Sequence, residues 1–439
     1  MSLLDDTVNK FKTHRAVIGV LGLGYAGLPI AFGFAEAGFK VVGFDIDLVK
    51  VEALNQGHSY IRHLPAPLLK SLLDQGTFRA SSTFSELANC DAAIICVPTP
   101  LDDRRTPDLT SVVKTSECIA KYLHRGQLVV LESTTYPGTT DEVVLPILSG
   151  SSLKVGEDFF LAYSPEREDP GNRDFNVKNT PKLIGGVTPS SQTVACAAYK
   201  EVVARVVPVS SARVAEASKL LENIFRCVNI AMINELKVVF EHMGINVWEV
   251  IEAAATKPFG FIPFSPGPGL GGHCIPIDPF YLSWKSRQSG VIARLVELAG
   301  VINSEMPEHV VTKLVEGLSV RGKPLKGSNI LLLGVAYKRD IEDVRESPAL
   351  AIINLLNAGG ATVNYHDPHV PILRSRHLPT EMLSVELTAS NISSADVVLI
   401  VTDHRQVDYR LVLQHAKLVI DTRNATATYR SSEGSVIYA

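Results

Sequence analysis

The sequence predicts an α/β protein in which two doubly wound sheets flank a helical middle segment. Three observations predict it. Gly22-Leu-Gly-Tyr-Ala-Gly27 directly follows an apolar, β-type run. Strand-like and helix-like runs alternate through the first half and return after Gly327. Between them, apolar residues recur at helical spacing from Ala212 to His242. The expected parts are residues 1–208, 209–318 and 319–439, the outer two Rossmann-like.

In the first part, Ala16–Leu21 and Lys40–Phe44 read as buried parallel strands, with a helix over Leu28–Ala37 ended by Gly38. Asp91–Val97 and Gln127–Glu132 continue the pattern, each ending in a polar or proline-rich loop. Ligands of open parallel sheets bind at such loops. Phe159–Tyr163 and Lys182–Gly186 add two apolar runs. In the middle part the Ala212–His242 pattern stops at Gly244, and Val247–Thr256 and Val291–Leu318 are further helical stretches. Such long helices are candidates for packing against a second copy. In the last part, Asn329–Leu333, Ala361–Tyr365, Asp396–Val401 and Lys417–Asp421 read as strands. Ser347 and Pro348 read as N-cap and first residue of a helix. Gly334-Val-Ala-Tyr-Lys338 stands there in place of the three-glycine loop, and Lys338, Arg339, Arg345 and Arg423 point to an anionic ligand.

Length and charge narrow the function. The chain's 439 residues suffice for two or three domains with cores of their own. A net charge of −4 without a long basic block leaves no electrostatic footprint for nucleic acid. Cys90, Cys96, Cys118, Cys196, Cys227 and Cys274 form no CxxC pair, which favours reduced thiols in the cytoplasm over disulfides or structural zinc. Ala16 to Ala35 carry no charge and follow a basic stretch, as a signal peptide or membrane span would. Six glycines and prolines between Gly19 and Gly33 make a strand, a turn and a buried helix the better reading, so no membrane segment is expected.

The glycine loop carries specific chemistry. Gly22, Gly24 and Gly27 allow a tight turn and close approach of a pyrophosphate, whose charge meets a helix N-terminus. Asp45 ends the next strand, where it would accept hydrogen bonds from an adenosine ribose and repel a 2′-phosphate. NAD is therefore the expected cofactor; Lys50, close by, offsets that repulsion slightly. A second glycine-rich run, Pro266-Gly-Pro-Gly-Leu-Gly-Gly-His-Cys-Ile-Pro-Ile-Asp278, sets Cys274 on a loop where four glycines would let a substrate lie against the backbone. A thiol there can add to a carbonyl, with Asp278 four residues on to handle protons.

Taken with Val97-Pro-Thr-Pro100, Glu132-Ser-Thr134, Tyr163-Ser-Pro-Glu-Arg167, Ser218-Lys-Leu-Leu-Glu-Asn223 and Tyr337-Lys338, the Cys274 loop resembles the nucleotide-sugar 6-dehydrogenase family, in order over nearly the whole chain. The resemblance implies an NAD-binding domain, a helical dimerisation segment and a UDP-binding domain. It implies oxidation of a sugar C6 alcohol to the carboxylate with two NAD reduced. Residue by residue, Cys274 resembles the nucleophile and Lys219 with Asn223 the pair that stabilises an oxyanion. Asp278 and Thr134 resemble the groups that position a water, and Glu166 the residue assisting thioester hydrolysis. Thr99, Thr134 and Arg345 are implied at the cofactor; Glu166, Arg167, Lys219, Asn223, Gly271, Lys338 and Arg423 at a UDP-sugar.

The Tyr163–Asn172 run and Pro258-Phe-Gly-Phe-Ile-Pro-Phe resemble the subgroup acting on UDP-N-acetylhexosamines, with UDP-N-acetylglucosamine ahead of UDP-N-acetylmannosamine and UDP-glucose. Each candidate also has a plainer reading: Lys219 as a solvated helix lysine, Glu166 and Arg167 as a surface charge pair, Thr134 as a helix cap, His273 as structural, and the other five cysteines as packing. A two-electron dehydrogenase of the 3-hydroxyacid type would leave the Cys274 loop and the last third without purpose. A non-catalytic nucleotide sensor would leave the whole catalytic set without one.

Overall fold

The computed structural model describes residues 2–61, 64–102, 105–167, 174–272, 275–429 and 436–439. His273 and Cys274 lie outside them, as does the 168–172 part of the Tyr163–Asn172 run. The chain forms two compact units, 1–222 with 284–291, and 223–283 with 292–439. The division falls inside the helix Ala212–His242.

In the first unit, β1 (Val17–Leu21), β2 (Lys40–Phe44), β3 (Phe78–Ser81), β4 (Ala92–Ile95), β5 (Leu128–Leu131), β6 (Phe160–Tyr163), β7 (Lys182–Gly186) and β8 (Val206–Val209) form one sheet in the order 3-2-1-4-5-6-7-8. Strands β1 to β6 run parallel, while β7 pairs antiparallel with β6 and parallel with β8. The parallel strands are apolar on both faces because helices cover both sides. Helix Gly27–Glu36 is buried over nine of its ten residues, which accounts for the absence of charge from Gly27 to Ala35. One core packs Phe11, Phe32, Phe34 and Tyr199 against one face of the sheet, and a second packs Phe44, Phe159 and Tyr163 against the other. Sequence reading omitted β3 and β8. Both are four residues long, and β8 carries a proline and is only partly buried.

In the second unit, β9 (Asn329–Leu333), β10 (Thr362–His366), β13 (Val397–Ile400), β14 (Val419–Asp421) and β15 (Val436–Tyr438) form a parallel sheet ordered 10-9-13-14-15, beside a two-stranded pair β11 (Ile372–Leu373) and β12 (Met382–Leu383). Ser347 caps the Pro348–Ala358 helix, accepting the Ala349 N–H at 3.3 Å, with Pro348 as its first residue. Ala212–His242 is one helix, followed by Gly244 at φ +70°. Arg294–Ser319 is a second long helix and carries Pro307 inside it. Each sheet reverses its strand order once, between β1 and β4 and between β9 and β13. These are the crevices where such folds hold ligands.

The two crevices are built alike. Gly22 (φ +94°) places its missing Cβ 2.5 Å from the Cys96 carbonyl oxygen, and Gly334 (φ +82°) sets its own against that of Thr402. Each glycine lets its loop press on the strand across the crevice. Asp45 at the end of β2 accepts the Leu23 N–H at 2.9 Å; Asp367 after β10 accepts the Val335 and Ala336 N–H groups at 2.8 and 3.1 Å. In the second unit that carboxylate is also held by His404 at 3.0 Å, so it serves its own loop. Burial opposes its charge, yet His404 and the His369 and Val335 N–H groups keep its pKa below the usual range.

Candidate active site

The first unit gathers its candidates at the carboxyl ends of its strands. Gly27 must be glycine because a Cβ there would strike the Gly22 carbonyl oxygen, whereas nothing lies within 4 Å of the Cβ position of Gly24. Ala26 precedes helix Gly27–Glu36 without a side-chain cap, so no side chain occupies the helix start where an anion would sit. A tight turn, one open glycine and an uncapped helix start fit a dinucleotide pyrophosphate. Asp45, 9 % exposed, also accepts the Asp47 N–H at 3.0 Å. Lys50 stacks over the Tyr60 ring, whose hydroxyl donates to the Leu23 carbonyl at 2.5 Å.

The next loops are cross-tied. Thr99 donates to the Thr134 carbonyl at 2.8 Å and Ser133 to the Val97 carbonyl at 2.8 Å. Thr134 begins no helix, so its cap reading is dropped. Lys219 is 4 % exposed; its ammonium donates to the Glu166 carbonyl at 2.5 Å and lies 3.8 Å from the Glu166 carboxylate. The solvated-lysine reading therefore fails. Arg167 pairs with Glu222 on the same long helix at 2.7 Å, not with Glu166, and donates to the Pro181 carbonyl at 2.7 Å. Its guanidinium pins the 164–167 loop.

Sequence reading gave no role to two buried acids. Glu132 holds Lys182 at 2.6 Å and accepts from the Tyr199 hydroxyl. Glu216, one turn before Lys219, accepts the Gly138 N–H at 2.6 Å and both the N–H (2.9 Å) and hydroxyl (2.7 Å) of Thr140. Nothing in the sequence links groups 50 to 78 residues apart.

In the second unit, Asn223 and Asp278 are 1 % exposed, and the Asn223 amide donates to the Asp278 carboxylate. Arg226, which sequence reading omitted, donates to the Asn223 side-chain oxygen and fixes which way that amide points. Asp278 opens the Asp278–Gln288 helix.

The glycines of the Cys274 loop have a role that sequence reading did not give them: their missing side chains make room for other parts of the protein. The Cβ position of Gly267 lies 2.5 Å from Arg423 Nη1; that of Gly271 lies 2.6 Å from Tyr337 Cβ; that of Gly272 (φ +83°) lies 2.9 Å from the Tyr337 ring. Gly269 (φ +124°) faces Asn303, Pro307 and Pro348. The Gly272 N–H donates to the Arg345 carbonyl at 2.9 Å, while the Arg345 guanidinium is held by Asp343 at 2.6 Å. Lys338 is half-buried next to Tyr337, and Arg423 donates to the Val401 carbonyl at 2.9 Å. The remaining cysteines are poor nucleophiles: burial pushes the thiol of Cys90 up to about 12 and that of Cys227 up to about 11.

Comparison with known proteins places this geometry. Residues 16–203 match the NAD binding domain of the UDP-glucose/GDP-mannose dehydrogenase family, 213–305 its central domain and 331–428 its UDP binding domain. The chain is 38 % identical to UDP-N-acetyl-D-glucosamine 6-dehydrogenase of Pseudomonas aeruginosa, over 82 % of this chain and 84 % of that one. The solved UDP-D-ManNAc dehydrogenase of Pyrococcus horikoshii superposes with a TM-score of 0.86 at 32 % identity, covering 96 % of this chain and 98 % of that one. For a UDP-glucose dehydrogenase of Pyrobaculum islandicum the values are 0.84 and 29 %, over 97 % and 98 %. With its two crevices, its glycine-loop nucleotide site and all three family domains in order, the chain belongs to the UDP-glucose/GDP-mannose dehydrogenase family and is an NAD-dependent UDP-sugar dehydrogenase.

Proposed function

We propose that this enzyme oxidises the C6 hydroxyl of a UDP-N-acetylhexosamine, UDP-N-acetylglucosamine first, to the uronate through a covalent intermediate on Cys274. The observation that carries the reading is the buried Asn223–Asp278 pair, in which Asp278 lies four residues along the chain from that cysteine and Arg226 clamps Asn223. NAD, when bound, accepts a hydride at each of the two oxidation stages. Gly22, Gly24 and Gly27 hold its pyrophosphate, Asp45 its ribose, and Thr99, Thr134 and Arg345 complete its surroundings.

The chain's own residues do the rest. Removing a hydride and a proton from the alcohol leaves an aldehyde, whose carbon the Cys274 thiolate attacks. The C–S bond forms as the carbonyl oxygen takes the negative charge, and Lys219 and Asn223, four residues apart on one helix, stabilise it. Loss of a second hydride turns the thiohemiacetal into a thioester. Water, positioned by Asp278 and Thr134 and assisted by Glu166, adds to the acyl carbon; the C–S bond breaks and the thiolate leaves. One alcohol and one water thus give one carboxylate, two hydrides and three protons. Arg167, Gly271, Lys338 and Arg423 complete the UDP-sugar contacts.

N-acetylhexosamine is preferred because Phe261–Ser265 carries no cation, and because relatives of the chain are named for N-acetylglucosamine and N-acetylmannosamine; UDP-N-acetylmannosamine ranks second and UDP-glucose third. The product, an amino-sugar uronate, suits polysaccharide or O-antigen synthesis in the cytoplasm, where the free thiols at 90, 96, 118, 196 and 227 stay reduced. Among the described residues no helix is long and apolar enough to cross a membrane.

The test is a panel of the three UDP-sugars with NAD. UDP-N-acetylglucosamine should yield two NADH per sugar, and Cys274→Ala should abolish turnover yet bind the UDP-sugar. A yield of one NADH ending at an aldehyde, or full activity in that variant, would remove the covalent step.

A further inference from the structure

The crevice of the second unit contains a buried histidine to which the chemistry above gives no part. His404 follows β13 and has no exposed surface. Its Nδ1 accepts the Asp340 N–H at 2.9 Å, and its Nε2 lies 3.0 Å from the Asp367 carboxylate. A ring nitrogen that accepts a backbone N–H carries no proton, so Nε2 is the protonated one and donates to Asp367. The imidazole thereby reaches from the end of β13 to the end of β10, and it ties down the loop that follows β9 between them.

That loop is held at both ends. At its start, Asp367 accepts the Val335 and Ala336 N–H groups with the oxygen that also faces His404. Thr402 donates to the Ala336 carbonyl at 2.6 Å. At the far end, Asp340 has a φ of +61°, a left-handed conformation that a side-chain-bearing residue keeps only when its surroundings impose it. Here they do so reciprocally. The Asp340 N–H goes to His404, while the Asp340 carboxylate accepts the Arg405 N–H at 3.0 Å and lies 3.2 Å from the Arg405 guanidinium. Between the two grips stand Lys338 and Tyr337, the residue against which Gly271 and Gly272 pack. The first crevice shows what the histidine changes. Asp45 takes one backbone N–H on each oxygen, which leaves lone pairs for a ribose. Asp367 also takes the His369 and Val370 N–H groups at 2.8 and 3.2 Å, so its five donors leave it none.

We propose that His404 is a positioning residue for nucleotide binding: it commits the crevice carboxylate to the 334–340 loop, so that Tyr337 and Lys338 meet the UDP part of the substrate in a fixed arrangement. The assignment rests on the UDP-sugar reading above, in which Lys338 contacts the nucleotide. A loop fixed before the ligand arrives loses little freedom on binding. Released at Asp340, the same loop has to be ordered by the ligand, and affinity falls by that cost. His404 touches no substrate in this scheme; it acts through the backbone that carries Lys338.

Calorimetric titration of the full chain with UDP and with NAD tests this, with melting curves to establish which variants are folded. His404→Leu removes both hydrogen bonds and should weaken UDP about 10-fold or more. NAD, whose glycine loop lies in the first unit, should bind as before. His404→Asn keeps an acceptor near the place of Nδ1, and His404→Gln a donor near that of Nε2, so each should recover part of the loss. In a Lys338→Met background the Leu substitution should cost much less than it does alone, because the histidine acts through that lysine. Wild-type affinity for UDP in the folded Leu variant, an equal loss for NAD, or losses that add in full overturn the role of His404 while the UDP-sugar reading stands. Should the Leu variant not fold, wild-type affinity in both the Asn and Gln variants overturns it. A wild-type chain that binds no UDP overturns both readings.

Discussion

Glu216 shows how one side chain can carry a pH dependence that sequence inspection misses. It has no exposed surface, and burial pushes its carboxyl up to about 7 although three donors favour the charged form. A raised acid pKa means that the folded state holds the proton more tightly than the unfolded chain. Its stabilising share is therefore complete below the unfolded value near 4.5 and is lost as pH rises through 7. The shift corresponds to about 3 kcal/mol. Urea unfolding between pH 5 and pH 8 should show wild-type stability falling by a sum of that order, and Glu216→Gln should flatten the profile; an unchanged slope in the variant would refute the assignment. At this scale the sequence exposed residue types but not partners. Lys219, Asn223 and Asp278 stood out as candidates, while the acid that receives Lys182 did not. Pairing over 50 residues or more is set by the folded path, not by spacing.

Elements follow more directly from sequence, because apolar periodicity and glycine placement act within a few residues. Helix Ala212–His242, strand Asn329–Leu333 and the Ser347–Pro348 helix start were all legible. The first nucleotide loop was legible too, and its structure separates two kinds of glycine. Gly22 holds a positive φ against Cys96, whereas Gly24 faces open space and needs no positive φ. Gly22→Ala should lower stability by roughly 1–3 kcal/mol, since the added Cβ meets both a left-handed backbone and a carbonyl oxygen. Gly24→Ala should leave the melting temperature within a degree or two of wild type and weaken NAD binding alone. Thermal melting and NAD titration of the pair check this; equal stability losses would mean that neither glycine is reserved for the cofactor. The Cys274 loop reads differently in structure because its glycines answer to Arg423, Tyr337 and Pro348, far away in sequence.

At the scale of the whole molecule, one helix leaves apolar side chains uncovered at regular intervals. Phe225, Met232 and Val239 recur every seven residues, are 46 %, 43 % and 44 % exposed, and follow Leu221 at 67 %. A stripe of that period on a long helix suits a second copy of the chain. Phe225→Glu combined with Met232→Glu should convert a dimer into a monomer in sedimentation velocity; a wild-type monomer, or a double variant that stays dimeric, would place the interface elsewhere. The repeated crevice is also a property at this scale. Gly22 with Asp45 and Gly334 with Asp367 are the same device, but only the first loop has the three glycines of a dinucleotide site. The sequence alone determined the α/β class and the family resemblance, and it singled out Cys274 as the candidate thiol, because each rests on short-range patterns of residue type. Tertiary structure alone decided which side chains are buried without water, which acids are already engaged and what the glycines of the second loop leave room for. Those depend on desolvation and on contacts between segments that only folding brings together.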